Sequence, residues 1–154
     1  MQQGVLNIRK MIRADISGVH HIEKQSFRDP WEEKTIDEAI SVFPDTIFIA
    51  ELSGIVCGYI ICGIEDTGEE MYGHICSLAV GPEFRHKGAG SSLVRRAEHA
   101  VMLSGGTAMQ LEVRVSNQIA QEFYRKLGYE PVFHICGYYA DTEDAIVMMR
   151  WFRY

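Results

Sequence analysis

Glu112 stands out in this 154-residue sequence as a candidate general base. It lies in the stretch from Ala108 to Val115, where apolar and polar residues alternate as they do in a half-buried strand. A carboxylate in the middle of a sheet is costly unless it is paired. Glu112 could therefore form an ion pair with Arg114 or with a neighbouring strand, or it could accept a proton in catalysis. The residues alone leave both interpretations open.

A basic, glycine-containing stretch is the second candidate site, and its predicted role is to bind a phosphate. Its two glycines permit a tight turn before a helix, whose free N–H groups and positive dipole end attract anions. A strand-to-helix turn without a ligand would look similar. The spacing matches neither the nucleoside-triphosphate loop nor the dinucleotide fingerprint. The residues of this candidate site are Arg85, His86, Lys87, Gly88, Ala89, Gly90 and Ser91.

The elements that position these residues follow from hydrophobic periodicity and turn residues. Four helices are predicted. The first begins at Asp15, and the second runs from Pro30 through Trp31 to Ile40. The third follows the glycine-containing stretch and ends at Gly105, and the fourth runs from an N-cap at Asn117 to Gly128. Strands are predicted at Leu6 to Met11, Thr46 to Leu52, Ile55 to Ile64, Met71 to Val80, Ala108 to Val115, Pro131 to Tyr138 and Ala145 to Trp151. This order predicts one domain over residues 1–154, with a mixed sheet flanked by helices.

Composition narrows the function classes. A net charge of −6 and a pI near 5.5 disfavour direct binding to nucleic acid, which requires a basic surface. No apolar run is long enough to span a membrane, so we expect a soluble, cytoplasmic protein. The four cysteines, Cys57, Cys62, Cys76 and Cys136, are predicted to be buried small apolar residues, since no C-x-x-C pair indicates zinc and no dense disulfide framework is indicated.

Two segments in this order resemble a known family. His74 to Val80 followed by R-x-x-G-x-G at Arg85 to Gly90 resembles motif A of the GNAT acetyltransferases, and Leu111 to Tyr129 resembles motif B. The resemblance implies an α/β (α+β) GNAT fold, with a mixed, mostly antiparallel seven-stranded sheet flanked by four helices and splayed between strands 4 and 5. It also implies acetyl-CoA as cosubstrate and no required metal.

The two ends of the chain resemble one branch of that family. Ile22-Glu23 with Phe27 to Trp31 is similar to the RimI-type ribosomal-protein alanine acetyltransferases, and Gly137 to Asp141 is similar to the Ard1-type N-terminal acetyltransferases. The resemblance implies that the acceptor is a protein or peptide N-terminus, a ribosomal protein being one candidate. The preferred N-terminal residue and the need for an auxiliary subunit stay open.

The resemblance also implies roles for individual residues. Glu112 would be the base, Tyr124 the acid that protonates the departing CoA thiolate, and His74 a helper that holds a water or proton relay with Glu112. From the residues alone, Tyr124 could equally be a core aromatic residue with a satisfied hydroxyl, and His74 a hydrogen-bonded core histidine. We expect His74 to share a strand face with Leu78, four residues later.

Cofactor and acceptor contacts complete the expectation. The resemblance implies that the cofactor contacts include the backbone of Leu78, Ala79 and Val80, together with Asn117, Tyr124 and Lys126. Asn117 could also simply cap its helix. The acceptor groove would be lined by Phe27, Trp31, Glu112, Tyr138 and Tyr139, although packing explains Phe27 and Trp31 as well. Two rival functions remain: acetylation of a small amine such as a polyamine or an aminoglycoside, and a non-catalytic acyl-CoA-binding module.

Overall fold

A computed structural model describes residues 4–153 of the chain; the ends of the predicted domain, residues 1–3 and 154, lie outside the described residues. Its strands are β1 (Leu6–Lys10), β2 (Ile47–Leu52), β3 (Ile55–Asp66), β4 (Met71–Val80), β5 (Ala108–Arg114), β6 (Glu130–Ile135) and β7 (Ala145–Trp151). Its α-helices are α1 (Ile16–Ser26), α2 (Glu33–Val42), α3 (Ala89–Leu103) and α4 (Gln118–Lys126). None of these helices is both long and apolar enough to cross a lipid bilayer.

The strands form one seven-stranded sheet in the order β1-β2-β3-β4-β5-β7-β6. Among the described strands, only β4 and β5 run parallel, and all other neighbouring pairs are antiparallel. The pairing of β4 with β5 covers just three residue pairs, the last of which is Ile75 with Leu111. Beyond that point β4 continues to Val80 with no strand partner on the β5 side. The predicted mixed, mostly antiparallel sheet with a splay between strands 4 and 5 is therefore confirmed.

The helices cover both faces of the sheet. The larger core cluster joins the sheet to α3 and α4 through buried residues such as Leu93 and Tyr124. The smaller cluster joins the other face to α1 and α2 through Val19 and Ile36. Alternate residues of β2 and β3 enter opposite clusters, as the pleat of a strand requires. Both faces of the central strands are thus buried.

A bulge in β4 overturns one prediction about side-chain direction. Ile61 and Cys62 of β3 are consecutive, yet their partners in β4 are Ser77 and Ile75, so Cys76 is an extra residue. An extra residue reverses the alternation of the strand after it. Leu78 therefore packs in the α3 cluster, whereas His74 points to the opposite face, where it meets Glu112. The prediction that these two residues share a face was wrong.

Other differences concern element ends and cysteines. The second helix begins at Glu33, not at Pro30, because Glu32 has an extended backbone (φ −79°, ψ 157°) and acts as the N-cap. The N–H of Trp31, ahead of the helix, donates to Glu23 Oε2 at 2.9 Å. β6 ends at Ile135, well before the predicted Tyr138. Cys57 and Cys62 are buried as predicted, but Cys76 and Cys136 are exposed. Cys76 is the bulge residue of β4, and Cys136 lies just beyond β6.

Candidate active site

Glu112 and His74 meet where β4 and β5 begin to diverge. His74 lies opposite Gln110, one residue before the pairing of β4 with β5 ends. Glu112 directly follows Leu111, the last residue of β5 that pairs with β4. The Nε2 atom of His74 lies 2.6 Å from Glu112 Oε2 and 2.9 Å from Oε1. Of the interpretations left open for Glu112, an ion pair with a neighbouring strand is therefore present, and its partner is His74 and not Arg114. The His74–Glu112 pair therefore lies beside the gap that opens between β4 and β5.

The contacts of His74 favour its protonated form. Its Nδ1 lies 3.9 Å from Cys76 Sγ, and its Nε2 is bound to Glu112. These two contacts raise the pKa of His74 to about 10, the Cys76 sulfur having the larger effect and the Glu112 carboxylate the next. Burial of the imidazole acts in the opposite direction. The imidazolium then donates its Nε2–H to the carboxylate. At neutral pH His74 is already charged.

The loop between β6 and β7 places two tyrosines against this pair. The hydroxyl of Tyr138 donates to Glu112 Oε1 at 3.4 Å. The ring of Tyr139 lies under the guanidinium of Arg114, with 4.1 Å between the guanidinium carbon and the ring centroid. Burial and the neighbouring phenol of Tyr138 raise the pKa of Tyr139 to about 12. Both hydroxyls are therefore neutral and can donate hydrogen bonds at neutral pH.

An ion-pair bridge joins this loop to the segment after α1. Asp141 accepts from Arg114 at 2.8 Å and from Arg28 at 3.0 Å. Hydrogen bonding to the Glu143 backbone and to Arg114 lowers the pKa of Asp141, so it is ionised. The bridge brings together the two segments that sequence analysis assigned to an acceptor groove. Phe27, next to Arg28, is 40% exposed, and Tyr138 is 47% exposed, so aromatic surface is available on both.

Glu23 fixes the position of Trp31, a function that sequence analysis missed. It is only 1% exposed and accepts from the hydroxyls of Tyr59 and Ser77 at 2.5 and 2.7 Å. Its other oxygen accepts the backbone N–H of Trp31 at 2.9 Å. A fully paired buried carboxylate of this kind holds the chain firmly. The sequence signal was an acidic residue on the apolar face of α1.

Tyr124 lies on α4 with a largely buried ring and an available hydroxyl. The ring is 8% exposed and packs edge-on against Phe123 and Tyr129, with centroids 5.1 and 5.6 Å away. Burial, together with the nearby Tyr139, raises the pKa of Tyr124. Its hydroxyl has no hydrogen-bond partner in residues 4–153. No fully buried polar side-chain atom there lacks a partner, so this hydroxyl must reach the surface.

The glycine-containing stretch forms a turn that presents the start of α3. His86 and Gly88 both have positive φ angles, 64° and 82°, and Gly88 precedes the first turn of the helix. Gly90 permits close packing, because a Cβ there would meet the Phe123 ring at 3.3 Å. The first backbone N–H groups of a helix have no partner within it. These groups, with exposed Arg85 and Lys87 nearby, can hold an anion.

The remaining predicted cofactor residues border the gap or α4. Leu78, Ala79 and Val80 pair with β3 but have no strand partner on the side that faces β5, where their backbone groups can receive an extended ligand. Asn117 caps α4, since its Oδ1 accepts the Ala120 N–H at 3.1 Å. Lys126 is exposed in the last turn of α4. The gap, the anion-binding turn and α4 together make a site suited to a long ligand with phosphates at one end.

Known proteins resemble this chain over most of its described length. A family model described as Acetyltransferase (GNAT) family matches residues 16–129, which include Glu112, Tyr124 and the glycine-containing turn. The chain is 38% identical over 144 residues to an uncharacterised N-acetyltransferase of Methanocaldococcus jannaschii, covering 93% of this chain and 90% of that protein. It is 31% identical over 150 residues to an N-alpha-acetyltransferase of Sulfurisphaera tokodaii, covering 92% and 90%.

Solved structures show the same similarity in three dimensions. Ard1 from Thermoplasma volcanium superposes with a TM-score of 0.90 at 26% identity, covering 97% of this chain and 99% of that one. The ribosomal-protein-S18-alanine N-acetyltransferase from Escherichia coli superposes with a TM-score of 0.81 at 25% identity, covering 96% and 94%. These are representatives of the Ard1 and RimI branches that the two ends of the sequence resemble.

Proposed function

The chain belongs to the acetyltransferase (GNAT) family, and we propose that it transfers the acetyl group of acetyl-CoA to the α-amino group of a protein or peptide. The observation that carries this proposal is the Glu112–His74 pair, which borders the gap between β4 and β5. It is hydrogen-bonded to Tyr138 of the loop between β6 and β7, residues 136–144, which we call the acceptor loop. The relative named N-alpha-acetyltransferase supports the class of acceptor.

The cosubstrate fits the chain at three places. The start of α3, with Arg85 and Lys87, offers N–H groups and positive charge to the pyrophosphate of acetyl-CoA. The edge of β4 that faces β5 beyond Ile75 offers backbone hydrogen bonds to the pantetheine arm, and Asn117 follows β5 on the opposite side of the gap. The thioester then lies between Glu112 and Tyr124. No metal is needed for this arrangement.

The proposed transfer is direct, within a ternary complex. Glu112 accepts a proton from the α-ammonium, directly or through a water molecule, because His74 is already protonated and cannot accept another. The freed amine attacks the thioester carbonyl, forming the new C–N bond. Tyr124 donates its hydroxyl proton to the sulfur as the C–S bond breaks, and the phenolate takes up the proton that the nitrogen releases. Cys76 takes no covalent part.

A peptide fits the acceptor side better than a polyamine does. A polyamine site requires free carboxylates, but the loop carboxylates Asp141 and Glu143 are both paired with Arg114, and Asp141 is also paired with Arg28. The same loop offers the aromatic rings and neutral hydroxyls of Tyr138 and Tyr139. A peptide carries its reacting amine on the first residue, and its following residues can pack against such a surface. A cytoplasmic location, where acetyl-CoA and new protein N-termini are present, belongs to the same proposal.

Release of free CoA thiol by the purified protein tests the proposal. Short peptides beginning with Ala, Ser or Met are compared with spermidine and with the N-terminal peptide of ribosomal protein S18, which is the acceptor named for the Escherichia coli structure. We expect turnover with peptides that is lost when their α-amino group is blocked. Turnover with spermidine alone would move the function to small-amine acetylation. Acetyl-CoA binding without turnover on any amine would indicate a non-catalytic module or a required auxiliary subunit, and would overturn the proposal for the isolated chain.

A further inference from the structure

Three potential metal ligands converge away from the acetyl-transfer site. The imidazole of His134, the thiol of Cys136 and the carboxylate of Asp144 each offer a ligand atom, and these atoms all lie within 4.8 Å of one another. His134 Nε2 and Asp144 Oδ2 are 2.7 Å apart. Nitrogen, sulfur and oxygen donors therefore meet at one point on the β6–β7 hairpin.

The hairpin register explains why these side chains meet. β6 and β7 are antiparallel, with His134 opposite Ile146 and Ile135 opposite Ala145. Cys136 follows His134 by two residues, and Asp144 directly precedes β7, so all of them lie at the same end of the hairpin. The second oxygen of Asp144 accepts the N–H of Gly137 at 2.8 Å, which fixes the carboxylate. One ligand is thus already held in place.

The donor set selects the class of ion. Zn²⁺ binds imidazole nitrogen, thiolate and carboxylate, and it often uses three protein ligands with water in a fourth position. Mg²⁺ and Ca²⁺ prefer sites made of oxygen atoms. Both His134 and Cys136 are exposed, so an ion can enter and keep a water ligand. We propose that His134, Cys136 and Asp144 form a binding site for Zn²⁺, the thiol losing its proton when the ion binds.

The proposed site lies at the base of the acceptor loop. Gly137, Tyr138 and Tyr139 follow Cys136 directly, and Tyr138 reaches Glu112. An ion at this base links β6 to β7 and restricts the loop, whereas the anion-binding turn at α3 is on another element. If the chain acts as proposed above, Zn²⁺ therefore changes the KM for the peptide and leaves the KM for acetyl-CoA unchanged. Binding itself does not depend on that activity.

Titration of the reduced, chelator-treated protein with Co²⁺ tests the site directly. Co²⁺ replaces Zn²⁺ in such sites and reports a bound thiolate through a charge-transfer absorption band. We expect a band that saturates at one equivalent and disappears when Zn²⁺ is added. Cys136→Ser should remove the band, and Asp144→Asn should weaken the affinity by about tenfold or more. Cys76→Ser, which changes the other exposed cysteine, should keep the band.

Thermal unfolding gives a second measurement for variants that lose the band. Zn²⁺ should raise the Tm of the wild type and of Cys76→Ser, but not that of Cys136→Ser, because only an ion bound to the folded state stabilises it. Circular dichroism without metal establishes that the variants fold. A folded wild type with neither a band nor a Tm shift would overturn the proposal, as would a band lost in Cys76→Ser and kept in Cys136→Ser.

Discussion

His74 and Glu112 hold one another across the parallel strands β4 and β5 at 2.6 Å, at the place where those strands stop pairing. The side chains are 23% and 13% exposed, so the contact is only partly open to water. A charge-assisted hydrogen bond of this kind is short and geometrically defined. It fixes the carboxylate beside the gap, and several expected outcomes follow from that position.

Substitution of Glu112 by Gln should lower kcat/KM by about 10² to 10⁴, the usual contribution of a general base. The amide keeps the shape of the side chain but cannot accept the amine proton. Binding of acetyl-CoA, measured by calorimetry, should remain unchanged. Glu65→Gln is the matched control, because Glu65 is a carboxylate 3.9 Å from the other ring nitrogen of His74. Equal losses in both variants would contradict the role of Glu112.

The stability of the protein should depend on pH through His74. The pKa rises from 6.5 to about 10 in the folded state, so the stabilising contribution is complete below about 6.5 and is lost as the pH rises through about 10. His74→Gln should be less stable than the wild type by on the order of 2 kcal/mol near neutral pH, the contribution of a charge-assisted hydrogen bond. Urea unfolding across the pH range measures this difference.

The difference between wild type and His74→Gln should shrink at alkaline pH. The control is His21→Gln, since His21 is an exposed residue of α1 without an ion pair among the described residues. That variant removes a histidine that has no carboxylate partner among those residues, so it should not reproduce the loss seen in His74→Gln. A gap between wild type and His74→Gln that stays constant from neutral to strongly alkaline pH would show that the pair does not titrate as proposed.

Replacement of Tyr124 by Phe should separate catalysis from stability. The hydroxyl has no partner in the described part of the chain, so its loss should leave the free energy of unfolding nearly unchanged. kcat should fall by about 10² or more, the contribution of a positioned acid. Tyr129→Phe provides the opposite control, because its hydroxyl donates to buried Glu98 at 2.8 Å. It should destabilise the protein by about 1–3 kcal/mol and keep kcat.

Direct transfer predicts that Cys76 never carries the acetyl group. Its sulfur lies 3.9 Å from His74 Nδ1, and His74 contacts Glu112, so a cysteine nucleophile is the mechanism to exclude. Cys76→Ser should retain turnover, because no bond to the acetyl group passes through this sulfur; any reduction would reflect the lost contact with His74. Intact-protein mass spectrometry after mixing with acetyl-CoA, without an amine, should show no added acetyl group. An acetyl group present in wild type and absent from Cys76→Ser would favour a covalent intermediate over a ternary complex.

The element order was predictable because periodicity and turn residues are local, whereas the splay between strands 4 and 5 was implied only by the resemblance to the GNAT family. The motifs that contain Glu112 and Tyr124 also lie in continuous segments, and Asn117 was correctly predicted to cap a helix. The direction of His74 was not predictable. A bulge adds one residue without changing the apolar character of the strand, so simple alternation from Leu78 back to His74 gave the wrong face.

Contacts between distant segments were beyond the reach of the sequence. Nothing in the local pattern shows that Arg28 pairs with Asp141, or that Glu23 binds the Trp31 backbone. The convergence of His134 with Asp144 depends on where β6 ends and on the turn at Gly137. In each case the partners are brought together by the path of the folded chain, not by a spacing that can be read directly from the sequence.

The Arg28–Asp141 bridge should control acceptor binding and not cosubstrate binding. Asp141→Asn weakens the pairing of Asp141 with both Arg28 and Arg114, and so frees the segment after α1 from the loop that carries Tyr138 and Tyr139. We expect the KM for a peptide acceptor to rise by about tenfold, equivalent to 1.4 kcal/mol. The KM for acetyl-CoA should stay unchanged, because the turn at the start of α3 does not contact this bridge.

Asp45→Asn is the matched control for that variant. Asp45 is an exposed aspartate paired with Lys10 at 2.9 Å, away from the acceptor segments, so the same chemical change should leave both KM values unaltered. Initial rates measured with each substrate varied in turn distinguish the two effects. The proposal assigns the acceptor to the bridged segments and the cosubstrate to the turn at α3. A rise in the KM for acetyl-CoA in Asp141→Asn would contradict it, because the two halves of the site would then not be independent.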